Sequence, residues 1–83
     1  MLRSVSVELD YYIPEGSFIG REVALEGAEM GDKVQLTEPW TCPAGTEFFA
    51  YVPRDGFVRV CARNKTGDPV KVPMASYGIA IGA

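Results

Sequence analysis

The sequence predicts an all-β protein: a small antiparallel β-sandwich or barrel, jelly-roll-like, with an extended N-terminal arm. Apolar and polar residues alternate in several short runs, which is the pattern of strands with one buried face. No stretch of the sequence places apolar residues at helical spacing. The nine glycines and six prolines fall mostly between the alternating runs, where turns are required.

The first 20 residues are expected to form an N-terminal arm or an edge strand, and residues 21–83 the β-sandwich domain. This leading segment concentrates bulky apolar side chains near proline and glycine, and it cannot bury them by itself. It would either pack on its own sheet or extend up to roughly 65–70 Å towards a neighbouring subunit. Its candidate contact residues are Tyr11, Tyr12, Ile13, Phe18 and Ile19.

The alternating runs give the strands in chain order. They cover residues 5–9, 23–25, 34–36, 47–52, 57–63 and 77–81, and a further strand is expected around Val70 and Val72. The tetrapeptide Asn64-Lys65-Thr66-Gly67 is expected to be the turn that leads into the strand at Val70.

The clearest local element is a hairpin of residues 47–52 and 57–63. A three-residue loop, residues 54–56, closed by a left-handed glycine sets its register and places Glu47 opposite Arg63. A loop of two or four residues would bring Arg59 or its neighbours opposite the apolar residues, which is costly to bury. The expected apolar pairs are Phe48 with Ala62, Ala50 with Val60, and Val52 with Val58.

The other face of this hairpin is unusually apolar for a surface in contact with water. It carries Phe49, Tyr51 and Phe57, with Arg59 among them. Aromatic residues beside arginine are typical of protein interfaces. We therefore expect a subunit interface on this face; the alternative is a second layer of the same domain that covers it.

Length and cysteine content limit what holds the chain together. A chain of 83 residues buries only about 60% of its unfolded surface, so its core is marginal and leans on a disulfide, a metal or a partner. Cys42 and Cys61 are expected to stay reduced, because no export signal supplies an oxidising compartment. Since there is no histidine, two thiolates fall short of a four-ligand zinc site, and no metal or other cofactor is expected.

Charge and hydropathy narrow the partners further. The net charge is −3 and the eight Lys and Arg residues are scattered singly, so nucleic-acid binding is not expected. No apolar run approaches the roughly 20 residues of a membrane span, so no membrane association is expected. The alternating start lacks the apolar core of a signal peptide, and we expect a cytoplasmic origin.

No enzymatic activity is expected. Histidine, the commonest general acid or base, is missing, and the carboxylates fall at turns or on polar strand faces. Trp40 lies in a loop between Pro39 and Pro43 and is a possible ligand anchor. The favoured interpretation is a cap on the open end of the sandwich, where a buried indole needs only one hydrogen-bond partner.

The order of these segments resembles that of small tailed-bacteriophage virion proteins. In that family a strand leads into a Gly-Ala-x-x-Gly-Asp turn, and a hairpin, an Asn-x-Thr-Gly turn and a closing strand follow. The likeness covers roughly residues 20–83. It rests on Gly27-Ala28-Glu29-Met30-Gly31-Asp32, Pro43-Ala44-Gly45-Thr46, Phe49-Ala50-Tyr51-Val52, Gly56-Phe57-Val58-Arg59-Val60 and Asn64-Lys65-Thr66-Gly67.

The resemblance implies a virion structural protein on the capsid surface. Such a head decoration (cement) protein, or a short fibre or tail component, is often a trimer seated on the lattice of the major capsid protein. The N-terminal segment would then dock to the shell or to a neighbour. The alternative function is a carbohydrate- or receptor-binding fibre module that uses the Trp40 loop.

Overall fold

The computed structural model of the chain describes residues 3–40 and 42–82, which form six antiparallel strands. They are β1 (Arg3–Ile13), β2 (Phe18–Ala24), β3 (Lys33–Thr37), β4 (Thr46–Arg54), β5 (Phe57–Asn64) and β6 (Val70–Gly82). The strands make two three-stranded sheets, ordered β1-β6-β3 and β2-β5-β4. The all-β prediction is confirmed. The described strands do not form a closed barrel. The described residues contain no helix long and apolar enough to cross a membrane.

The first sheet is organised around β6, which is longer than the sequence pattern indicated. A single 13-residue strand includes both the predicted strand at Val70 and the predicted strand at 77–81. A register shift lets it continue: Pro73 and Met74 together face the one residue between Leu9 and Tyr11 on β1. Proline cannot donate to the ladder, so a bulge is where a paired strand tolerates it.

The second sheet contains the predicted hairpin, with the predicted register in its body. Glu47 pairs with Arg63, and the residues that follow pair as expected as far as Tyr51 with Arg59. The predicted three-residue loop is wrong, because Arg54 pairs with Phe57 and the turn is Asp55–Gly56 alone. A bulge at Val52 and Pro53 absorbs the extra residue and keeps Val52 on the buried face.

Both sheets contribute side chains to one hydrophobic core. The first sheet supplies Ile13, Val72 and Ile79, while the second supplies Val58 and Val60. Aromatic rings pack edge-on within this cluster, and the Tyr11 and Tyr77 ring centroids lie 6.1 Å apart. One core is therefore shared by apolar side chains of both sheets.

Two tyrosine hydroxyls reach into this core with different outcomes. The Tyr11 hydroxyl donates a hydrogen bond to the Val60 carbonyl oxygen at 2.9 Å. The buried Tyr77 hydroxyl has no hydrogen-bond partner among the described residues, and the Cys42 thiol is the polar group beside it. Burial raises the pKa of both hydroxyls, so each is neutral at physiological pH.

Asn64 ties together two turns at one end of the molecule. Its Nδ2 donates to the carbonyl oxygens of Ile13, Pro14 and Asp68, at 3.1, 3.3 and 2.7 Å. Its Oδ1 accepts from the Thr66 amide and hydroxyl, at 2.9 and 2.6 Å. The predicted turn at Asn64–Gly67 is therefore built around a buried amide rather than an exposed one.

The expected N-terminal arm is not what the structure has. Residues 3–13 form β1 and pair with β6, so the edge-strand alternative describes them. Tyr11 is 1% exposed and Ile13 is fully buried, and both belong to the core. These two residues cannot contact a partner while the chain is folded. Their alternation with Leu9 and Val7 places them on the buried side of β1.

Candidate interaction surface

The surface with the strongest functional character is the side of the β2-β5-β4 sheet that points away from the core. We call it the outer face. Alternation along the three strands selects its members, since the intervening residues face the core. The outer face consists of Phe18, Gly20, Glu22, Glu47, Phe49, Tyr51, Phe57, Arg59, Cys61 and Arg63.

The aromatic residues of the outer face are open to solvent. Phe18 is 56% exposed, Tyr51 45% and Phe49 36%, while Phe57 is half-buried. The alternative of a second layer covering this face is wrong for the part of the chain that the structure describes. Large aromatic side chains clustered on an open sheet face are uncommon in proteins without a partner.

Salt bridges and ring contacts organise the border of the outer face. Arg54 is the last residue of β4, and its Nε lies 3.2 Å from Glu22 Oε1 on β2. Its guanidinium carbon lies 3.8 Å from the Phe57 ring centroid. Arg63 Nη1 lies 3.6 Å from Glu47 Oε1. These pairs are about half exposed, so each contributes little to stability, but together they hold their charges in fixed positions.

Arg59 differs from its neighbours at the centre of the face. No carboxylate among the described residues pairs with it, because its cross-strand neighbour Glu22 is held by Arg54. The guanidinium lies over Gly20: a Cβ built there would come within 2.9 Å of Arg59 Cζ. Because Gly20 has no side chain, the Arg59 guanidinium can occupy the space above it.

The Cys61 thiol beneath Arg59 is a weak partner for that guanidinium. Cys61 is buried although it points to the outer face, because Arg59 and Phe49 cover it. Burial raises the pKa of the thiol, and the hydrogen bond from Arg59 offsets part of the rise. One neutral thiol leaves most of the five N–H donors of a guanidinium unused. Cys42 and Cys61 are both free, and Cys42 lies beside Tyr77.

The structure divides the nine predicted contact residues into three groups. Phe18, Phe49, Tyr51, Phe57 and Arg59 lie together on the outer face. Tyr12 is exposed on the other sheet, opposite Lys71. The remaining three, Tyr11, Ile13 and Ile19, are in the core or packed against it.

Sequence reasoning missed two members of the outer face, Gly20 and Glu22, and missed Arg54 at its border. Their roles depend on the pairing of β2 with β5, which local pattern does not reveal. The available signal was the glycine at position 20, next to the alternating run that begins at Glu22, since glycine inside a strand often marks a close approach by another group.

Trp40 does not cap the end of the fold. Its side chain is 94% exposed, so the favoured interpretation of the sequence is wrong and the indole is free for other contacts. The loop around it is held by a turn in which the Cys42 amide donates to the Pro39 carbonyl oxygen at 3.2 Å.

A second, polar surface lies on the β1-β6-β3 sheet. Small residues on the central strand, Gly78 and Ala80, form the floor of an open groove of about 360 Å³. Its sides are lined by Ser4, Ser6, Gln35 and Thr37. The groove offers hydroxyl and amide groups but neither aromatic nor charged side chains.

The outer face is suited to binding a protein surface, with aromatic anchors around a cation that has no carboxylate partner. Within the described part of the chain, no group of three His, Cys, Asp or Glu residues is placed to hold a metal ion. Comparisons with protein-family models, with curated proteins and with solved structures found no match to this chain.

Proposed function

We propose that this chain is a structural assembly protein that binds protein partners through the outer face, in the setting of a phage capsid surface. The observation that carries the proposal is the group of exposed aromatic residues around Arg59. Aromatic residues and arginine dominate the binding energy of protein interfaces. The same residues stabilise the isolated domain little, because solvent still reaches them.

The energetics of an interface support this role. A standard interface buries roughly 800 Å² on each partner, and apolar burial contributes about 25 cal/mol for each Å². Phe18 on β2 and Phe49 and Tyr51 on β4 flank the central strand β5 and supply apolar area on both sides of Arg59. The Arg54–Glu22 and Arg63–Glu47 pairs supply the polar rim that protein interfaces have.

In this proposal the two sheets face each other as a small sandwich, and copies of it assemble as a homotrimer on the major capsid protein. The shared core supports the sandwich. The capsid setting rests on the resemblance of residues 20–83 to phage virion proteins. The role first expected of an N-terminal arm passes to the outer face, because β1 is part of the fold.

The proposal is tested by truncating the aromatic anchors. Phe49→Ala and Tyr51→Ala are each expected to weaken association about 5- to 30-fold, since each removes about 1–2 kcal/mol of interface energy. Light scattering over a concentration series measures association, and urea unfolding measures stability. Tyr12→Ala is the matched control, because it removes an exposed tyrosine from the other sheet. Equal association of all four proteins would contradict the proposal.

The exposure of Trp40 favours one second candidate, a carbohydrate- or receptor-binding module that uses this indole as a stacking platform. It predicts a change of Trp40 fluorescence on addition of sugars, with the oligomeric state unchanged. The Trp is the only one in the chain, so the signal is specific. Fluorescence that is unaltered by a panel of mono- and oligosaccharides would exclude the sugar-binding form of this candidate.

A further inference from the structure

We infer that the occupant of the outer face is a second copy of this chain. It docks through its acidic β2–β3 loop, which is hydrogen-bonded to the β4–β5 turn. We call this loop, residues 25–32 together with Asp55 and Gly56, the tip. The inference rests on the proposed function and names the partner of the same surface. It is carried by complementary charge and by the hydrogen bonds that fix the tip.

The tip is fixed to the sheet by backbone hydrogen bonds. The Leu25 amide donates to the Gly56 carbonyl oxygen at 2.9 Å, and the Gly56 amide donates to the Ala28 carbonyl oxygen at 2.8 Å. Asp55 Oδ1 accepts from the Met30 amide at 3.0 Å. Ala28 is buried beneath the loop. A loop held in this way loses little conformational entropy when it binds.

The tip presents an apolar side chain next to a carboxylate. Met30 is 68% exposed although its backbone is fixed. The carboxylates of Asp32 and Asp55 accept hydrogen bonds from the loop itself, at 2.9 and 3.0 Å. Glu29 is exposed, and its carboxylate forms no ion pair within the described chain. Glu29 is thus available to a partner.

The outer face has the opposite arrangement. Arg59 has no carboxylate partner in residues 3–40 and 42–82, and Phe49 and Tyr51 beside it are exposed. The Glu29 carboxylate on the Arg59 guanidinium would place Met30 against these rings, where a thioether packs favourably. Withdrawal of the pair from water by the surrounding aromatic side chains strengthens its attraction.

Charge also distinguishes this contact from a face-to-face dimer. Arg54, Arg59 and Arg63 outnumber Glu22 and Glu47 on and around the outer face, while the chain as a whole carries −3. Two outer faces in contact would bring like charges together. A tip on a face is a heterologous contact, which forms a closed ring when the rotation between subunits allows it. The trimer of the proposed function is such a ring.

Charge reversal at the two ends of the contact tests the inference. Glu29→Arg and Arg59→Glu are each expected to weaken self-association at least about tenfold, and the double variant is expected to regain most of it, because the pair is restored with its signs exchanged. Sedimentation velocity of the full chain measures association. Glu15→Arg is the matched control, since it reverses an exposed glutamate in the β1–β2 turn. Arg59→Gln replaces Arg59→Glu if the latter fails to fold.

The outcomes separate this inference from the proposed function. If Arg59→Glu and Phe49→Ala weaken association but Glu29→Arg does not, the outer face binds something other than the tip, and only the inference is overturned. A double variant as weak as the single variants overturns it as well. If none of these variants changes association, both the inference and the proposed function are contradicted.

Discussion

Asn64 is the residue on which one end of the molecule depends. Its buried amide donates to three carbonyl groups from two separate turns and accepts from Thr66. An unpaired buried polar group costs about 1–3 kcal/mol, so removal of one side chain leaves several backbone groups without partners. The Asn-Lys-Thr sequence is therefore explained by structure.

Asn64→Ala is expected to lower the free energy of unfolding by about 2–4 kcal/mol. Thr66→Val, which removes only the hydroxyl that donates to Asn64 Oδ1, is expected to cost about 1 kcal/mol. Urea unfolding at neutral pH measures both. An Asn64→Ala protein within about 0.5 kcal/mol of the wild type would show that the turns are held by other contacts.

Gly20 controls the position of Arg59 and provides a second test at this scale. Gly20→Ala adds a methyl group where the guanidinium lies, and a flexible side chain can move aside at small cost. We expect stability to stay within about 1 kcal/mol of the wild type while association weakens, because Arg59 is displaced.

Gly78→Ala is the matched control for that test. Gly78 and Thr37 both lie in the β1-β6-β3 sheet, which does not carry the outer face. The new methyl carbon at position 78 would lie 3.3 Å from the Thr37 Cβ. Light scattering and urea unfolding are measured for both variants. Association of Gly20→Ala equal to that of Gly78→Ala would contradict a role for the Arg59 position.

At the scale of the element, the hairpin shows how far local pattern reaches. Alternation and the Glu47–Arg63 pair were enough to predict the register, because a one-residue slip would have exposed the whole apolar set. The predicted three-residue loop was wrong because the actual turn has two residues, and the bulge at Val52 and Pro53 restores the register after it. A bulge adds a residue without disturbing the alternation on either side of it.

The N-terminal strand shows what local pattern cannot decide. β1 pairs with β6, a strand that lies more than fifty residues further along the chain, and no nearby signal indicates this partner. Phe49, Tyr51 and Phe57 of the outer face were predicted together because they lie on one hairpin. The Arg54–Glu22 pair and the exposure of Trp40 were not, since both depend on long-range packing.

Asp55 connects the turn of the hairpin with the tip, and its removal tests that connection. Asp55→Ala takes away the acceptor of the Met30 amide, so amide hydrogen exchange at Met30 should accelerate and stability should fall by about 1 kcal/mol. Association should weaken because a mobile tip loses more entropy on binding.

Asp68→Ala is the control for this variant. Asp68 contacts Asn64 and Thr66 through its own backbone carbonyl and amide groups, which the substitution leaves in place. Hydrogen exchange by NMR reports on Met30 directly. Unchanged exchange at Met30 in Asp55→Ala would mean that the tip is held by the Leu25 and Gly56 hydrogen bonds alone.

At the scale of the whole molecule, the two sheets share one core but have chemically different outer surfaces. Their inner faces form one core, and the outer side of the β1-β6-β3 sheet is mainly polar, with small residues at its centre. The outer face of the β2-β5-β4 sheet is aromatic and carries Arg59, which no carboxylate of the described residues pairs. A chain of 83 residues has a marginal core, and burial of this face against a partner would add to its stability.

The most direct test of the central claim is the mass of the wild-type chain in solution, measured by light scattering as its concentration rises. The account predicts a mass that climbs from the 9.0 kDa of one chain towards that of a small closed oligomer, and a Tyr51→Ala protein that stays near the monomer over the same range. A folded wild-type chain that remains at 9.0 kDa at the highest concentration reached would contradict it.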